Sequence, residues 1–168
     1  MIKLRVAATT DLLLIREIAY KTWPSAYSDI LPKVQIDFML DLFYSIENLR
    51  RDMEQGHFFL IAEDQHEAIG FCSYQHISDD ENTNTKIHKL YILPASHGKG
   101  AGKNLVEAVE RAAIKQKSIS VFLNVNRHNP AIYFYKKSGF TIDYEEDIAI
   151  GHGYFMNDYV MRKTLLNL

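Results

Sequence analysis

The sequence predicts an α+β protein built on one mixed, mostly antiparallel sheet of about seven strands flanked by helices. Three observations carry this. Two strand-like runs, "HFFLIAED" and "AIGFCSYQHI", meet at a polar turn, Asp64 to Glu67, as hairpin partners do. Two helical stretches, Ala101 to about Lys117 and "PAIYFYKKSGF", separate later strands and serve as crossovers. Two further alternating runs, "TIDYEEDIAI" and "YFMNDYVMRKTL", then close the chain. Adjacent hairpins combined with crossover helices favour α+β over a doubly wound parallel sheet.

Taken in order, "IKLRVA" alternates and predicts the first strand. Thr9 and Thr10, followed by Asp11, mark a helix start for "LLLIREIAYKTW", which Pro24 is expected to interrupt. Pro32 suits the start of a second helix, "KVQIDFMLDLFY", whose Val34, Phe38, Met39, Leu42 and Phe43 recur at helical spacing. Ser45 can cap a short third helix that ends near Gly56. After the hairpin, "SDDENTN" reads as a solvated loop, and "KIHKLYIL" as a strand stopped by Pro94. Leu105, Val106, Ala108, Val109, Ala112 and Ala113 give the next helix one apolar face. "ISVFLNV" is a strand, and the last helix has Pro130 at its start and Gly139 just past its end.

Size and charge narrow the function. A chain of 168 residues suits one domain, expected to span 1–168. A formal net charge of −2 gives no basic footprint for nucleic acid. The single cysteine, Cys72, lies in the apolar run "AIGFCSY" and reads as buried filler in a reducing compartment. "MIKLRVAATTD" lacks the apolar core of a signal peptide, and no run nears the ~18 apolar residues of a membrane helix. The expectation is a cytoplasmic protein with no membrane partner. The seven histidines lack paired ligand spacing, so no metal is expected.

The chemistry concentrates in "LPASHGKGAGKNLVEAVERA", where three glycines in five residues run into a helix. A Walker-type loop needs Ser or Thr after its lysine, to hold magnesium; here Asn104 follows Lys103, and His97 stands where its first glycine would be. A dinucleotide loop needs G-x-G-x-x-G and an acid on the next strand; here the spacing is G-x-G-x-G and "LNVN" offers only Asn124 and Asn126. What remains is a helix N-terminus, carrying about half a positive charge, behind a glycine loop able to surround a pyrophosphate. Lys99 and Lys103 can add charge there, or simply be solvated.

A second motif, "NVNRHNPAIYFYKKSGF", follows downstream. With it, the sequence resembles the GNAT superfamily of N-acetyltransferases, in the branch similar to small bacterial polyamine acetyltransferases. The family's Gln/Arg-x-x-Gly-x-Gly/Ala loop is matched by His97-Gly98-Lys99-Gly100-Ala101-Gly102, with His97 departing from the usual first residue. Its Asn, Ala-Ile, Tyr and Gly-Phe positions are matched by Asn129, Ala131, Ile132, Tyr135, Gly139 and Phe140.

The resemblance implies an acetyl-CoA:amine N-acetyltransferase of the GNAT fold, acting by direct transfer. A polyamine, another small amine, a protein N-terminus or a lysine would accept the acetyl group. Leu90, Tyr91, Ile92 and Leu93 would hold the pantetheine on a strand splayed from its neighbour, with Asn126 or Asn129 as further contacts. Tyr135 would protonate the departing thiolate, since a phenol near 10 keeps its proton where a thiol near 8.5 must regain one. His88, on the strand before the loop, or a water chain would take the amine proton. Trp23, Tyr27, His152 and Tyr154 are candidate walls for the acceptor, and Asp79-Asp80-Glu81 and Glu145-Glu146-Asp147 can draw a cation. Each of these side chains has an ordinary packing or surface alternative. Dimers occur in the family, so a homodimer enters the expectation without a located interface. A CoA-binding regulator without turnover is the rival expectation.

Overall fold

Hydrophobic period becomes structure nearly element for element. The computed structural model describes residues 1–165, so the last three of the expected domain, 166–168, lie outside the described residues. In chain order the elements are β1 (Ile2–Val6), α1 (Leu12–Tyr27), α2 (Lys33–Tyr44), α3 (Ile46–Glu54), β2 (Phe58–Asp64), β3 (Glu67–Ser78), β4 (Thr83–Ile92), α4 (Ala101–Lys115), β5 (Ser120–Asn126), α5 (Ala131–Lys137), β6 (Thr141–Gly151) and β7 (Tyr154–Thr164). The strands form one sheet in the order β1-β2-β3-β4-β5-β7-β6, antiparallel except between β4 and β5.

Three local expectations are corrected. Pro24 does not interrupt α1, which continues to Tyr27. The proline removes one backbone donor, but Trp23 and Tyr27 on either side are buried and pack ring to ring at 4.6 Å. Neither Thr9 nor Thr10 caps a helix. Asp11 instead closes the short 3-10 turn Thr9–Asp11 that leads into α1, accepting the Ala8 N–H (2.9 Å) while Arg5 clasps it through both guanidinium arms at 2.9 Å. The loop after β3 is shorter than composition suggests, because Ser78 pairs with Thr83 and Asp79 Oδ1 closes the turn on the Glu81 and Asn82 amides. Ser45 does cap α3, accepting from the Asn48 amide at 3.2 Å.

The sheet separates two cores. On one face α4 packs Leu105, Val106, Val109 and Ala113 against Ile87, Val121, Leu123 and Met161 of the sheet; α5 joins the same face through Ile132 and Tyr135. On the other, Ile15, Ile18, Ala19, Trp23 and Met39 of α1 and α2 cover Phe59, Ile61 and Phe71. Each fully buried side chain of this size is worth about 1.5–3 kcal/mol. Cys72 is buried in the first core, and desolvation pushes its thiol up to about 12, so it stays a packing residue.

β4 carries two irregularities. Its register against β3 jumps from Lys89↔Ser73 to Ile87↔Tyr74, leaving His88 as an extra residue. A bulge lets adjacent side chains share a face: Lys89 reaches Asp52 of α3 (3.0 Å) while His88 stacks on His57 (4.1 Å). Second, β4 and β5 pair only from Thr85↔Val121 to Ile87↔Leu123. Beyond that they part, though both continue, to Ile92 and Asn126.

Candidate active site

The parted strands open into a cavity of about 1430 Å³. Its cofactor end is the glycine loop. His97 Nε2–H donates to the Ile92 carbonyl (2.9 Å), tying the ring to the end of β4. Gly98 (φ +80°) and Gly100 (φ +88°) take left-handed backbone with open space around them, so glycine is needed there for conformation. Gly102 serves clearance instead, because a Cβ would sit 3.2 Å from the Phe134 ring. The amides from Gly98 to Lys103 have no hydrogen-bond partner among the described residues, and no side chain caps α4. Six free N–H groups at a helix N-terminus fit a pyrophosphate.

Most of the expected binding residues line this space, and two do not. Leu90, Tyr91 and Ile92 face the gap; Leu93 is outside the lining, its amide spent on the Ile69 carbonyl (2.8 Å). Lys103 lines the cavity, whereas Lys99 is off it and paired with Asp64 at 3.3 Å. Asn126 and Asn129 both face in. Their Oδ1 atoms accept the amides of His128 and Ala131 (2.9 Å each), so each Nδ2 remains as a donor, that of Asn129 beside the Tyr27 hydroxyl.

Tyr135 lies on the cavity wall, 7% exposed, between Phe134 and Phe140. Its hydroxyl has no hydrogen-bond partner among the described residues. Burial first, then Tyr27 and Cys72, push its phenol above the ordinary 10, so it is a held proton.

His88 also lines the cavity. Its Nε2–H donates to Gln75 Oε1 (3.2 Å), leaving the Nδ1 lone pair. Burial, with His57, Lys86 and Lys89 nearby, lowers its pKa to about 3. The ring is therefore neutral at working pH and a weak base.

This shift has a stability consequence. Below its usual 6.5 the unfolded chain takes up a proton that the folded ring refuses, so His88 costs stability as pH falls toward 3. Between pH 8 and pH 5 the expected loss is about 2 kcal/mol from this residue alone. Burial lowers the pKa of His57 and His76 as well, in the same direction. Urea melts at both pH values check it: His88→Gln should flatten the dependence, and an unchanged slope would refute the assignment.

The acceptor end is aromatic. Trp23 and Tyr27 line it, with the Tyr27 and Tyr91 hydroxyls bonded at 2.9 Å. His152 and Tyr154, the other expected walls, are not on the lining; they pack on Phe38 of α2 at 4.7 and 5.3 Å. The hairpin contributes Phe155 and Met156 instead. Of the acidic runs, Glu145 and Asp147 are taken by Arg127, and Glu146 Oε2 accepts from Asn124 Nδ2 (2.9 Å).

One acidic residue of the cavity wall escaped sequence reasoning. Asp158 of β7 lines the cavity while only 6% exposed, and desolvation raises its carboxyl above the usual range. The available signal was a lone acid between Met156 and Val160, alternate positions on one strand face.

Comparison with known proteins gives this geometry its context. A curated uncharacterised N-acetyltransferase of Mycobacterium tuberculosis is 36% identical over 87 residues, covering 51% of this chain and 55% of that protein. The chain thus spans about half the length of that relative. A spermidine N(1)-acetyltransferase of Thermoplasma acidophilum is 26% identical over 148 residues, covering 84% and 89%. Among solved structures, the PaiA N-acetyltransferase of Thermoplasma acidophilum in complex with coenzyme A superposes with a TM-score of 0.82 at 26% identity, covering 98% of this chain and 99% of that one. The sequence profile of the acetyltransferase (GNAT) family matches residues 12–140, from α1 through both motifs to Phe140. By that match, over a cavity of this shape, the chain belongs to the acetyltransferase (GNAT) family.

Proposed function

We propose that this protein is an acetyl-CoA-dependent N-acetyltransferase, one domain over 1–168, that moves acetyl directly to a primary amine. The observation that carries the reading is the parting of β4 from β5 beside six unpartnered amides. The residues present fit acetyl-CoA. Gly98 to Lys103 offer backbone donors to the diphosphate, the free edge of Leu90 to Ile92 offers peptide groups to the pantetheine amides, and Asn126 and Asn129 offer Nδ2 donors. Acetyl-CoA supplies an activated acyl group.

The chain's own residues do the rest. A β4 amide beside the gap can polarise the acyl carbonyl as an oxyanion donor. Tyr135 holds the proton that the leaving sulfur needs. The aromatic wall of Trp23, Tyr27 and Tyr91 gives an aliphatic amine a surface to lie along. A spermidine acetyltransferase among the relatives supports a small polyamine or alkylamine acceptor, with protein N-termini and lysines as the other candidates.

Calorimetry with acetyl-CoA, followed by thiol release across an amine panel, tests the reading. Binding with acceptor-dependent release is expected. Tight binding without release would instead identify a CoA-binding regulator, and no binding would remove the transferase reading.

A further inference from the structure

Resting on the transferase reading, we infer that Asp158 is the group that receives the acceptor's ammonium and takes its proton, so that the acceptor is an alkylammonium ion. Asp158 is the odd member of its surroundings. The residue is 6% exposed on the cavity wall, yet among the described residues no cation lies within 4.0 Å of its carboxylate, whose side-chain partner is the neutral amide of Asn124. The cations near it, Arg127 and Lys86, stand off. Arg127 points both arms at Asp147 and Glu145 and touches only the Asp158 backbone carbonyl, at 3.4 Å. Lys86, with its ammonium 5.8 Å from the centre of the Phe122 ring, eases the Asp158 charge only from beyond contact distance. Asn124 shares its two Nδ2–H donors between Glu146 (2.9 Å) and Asp158, and the Glu146 charge opposes that of Asp158. A buried carboxylate without a contacting cation is costly to keep, and a cleft is where such a group takes a cationic ligand.

Its position suits the reaction. In register Asp158 sits opposite Asn126, at the free end of β5. Its side chain shares a sheet face with Met156, which packs against the α1–α2 core, whereas Tyr135 belongs to the opposite core. Tyr27 connects them: its phenol is within electrostatic reach of Asp158 and of Tyr135 alike. An acid and a proton acceptor thus belong to opposite faces of the sheet, and both line the cavity. His88, the other candidate acceptor, is the weaker base.

The steps balance. R–NH3+ gives one proton to the Asp158 carboxylate, leaving R–NH2 and a neutral carboxyl. The nitrogen lone pair forms the C–N bond to the thioester carbon, the C–S bond breaks, and the Tyr135 phenol protonates the thiolate. The nitrogen's surplus proton returns through water to Tyr135, and Asp158 releases its proton to solvent. The net change is one acetyl group moved and one proton freed.

Asp158→Asn tests this, with spermidine as the cationic probe and aniline, neutral at pH 7, as the second acceptor. We expect acetyl-CoA affinity within twofold of wild type and a loss of kcat/KM for spermidine of at least 100-fold, shared between KM and kcat. The loss with aniline should be at least tenfold smaller, and Asp158→Glu should restore part of the spermidine rate. Equal losses with both amines would mark a structural role and overturn the assignment. So would no loss, or a wild type that accepts aniline and refuses alkylamines. A wild type that fails to bind acetyl-CoA would overturn the transferase reading, and this one with it.

Discussion

Tyr135→Phe is expected to lower kcat by about 10²- to 10³-fold while acetyl-CoA affinity stays within about twofold. General acids contribute roughly 10²–10⁴-fold, and the lower half applies because a thiolate, with a conjugate acid near 8.5, already leaves fairly well. The substitution isolates the proton. The ring stays in its slot between Phe134 and Phe140, and the hydroxyl that disappears has no hydrogen bond among the described residues to lose. Melting should therefore move little. The pH profile adds a second check. Burial holds the phenol above its ordinary 10, so this proton stays in place through pH 9 and causes no alkaline fall in wild-type rate below that. A variant with unchanged kcat, or a wild type whose rate falls between pH 8 and 9 only when Tyr135 is present, would remove Tyr135 from the chemistry.

How far the sequence could be read follows from the range of the interactions. Strand and helix periods are local, so α2 matches "KVQIDFMLDLFY" residue for residue and β5 differs by one at each end. The phosphate loop was legible for the same reason, since Gly98 and Gly100 answer to their own backbone angles. What failed depended on distant partners. Pro24 is kept helical by the packing of Trp23 and Tyr27, and Lys99 is drawn off by Asp64, 35 positions earlier. His152 and Tyr154 were placed by the reach of a hairpin whose turn packs on Phe38. Asp158 was hidden most thoroughly. Alternation in β7 tells which residues share its face, but that face becomes a cavity only where β4 and β5 part, which no single segment encodes.

Gly70→Ala is expected to destabilise the fold by about 2–3 kcal/mol, the upper range for forcing a methyl into filled space. Gly70 needs no special backbone angle; it needs room. It pairs with Ala62 on one side and Ile92 on the other, and a Cβ there would lie 2.7 Å from the Tyr91 carbonyl oxygen and overlap Ile92 Cδ1. The Ile92 methyl can rotate away, but the carbonyl belongs to the backbone of β4 and moves only if the strand moves. That strand segment carries Leu90 to Ile92 along the gap and anchors His97 through the Ile92 carbonyl. The substitution should therefore do more than lower the urea midpoint. In whatever fraction stays folded, acetyl-CoA affinity should weaken by about tenfold, because the peptide edge and the loop that follows it shift together. Gly102→Ala is the control for the stability loss alone, since its Cβ meets only the rim of the Phe134 ring at 3.2 Å and asks for a side-chain adjustment. Equal denaturation midpoints for Gly70→Ala and wild type would show that β4 yields freely at Tyr91, and a strand that yields there could not hold a thioester in place.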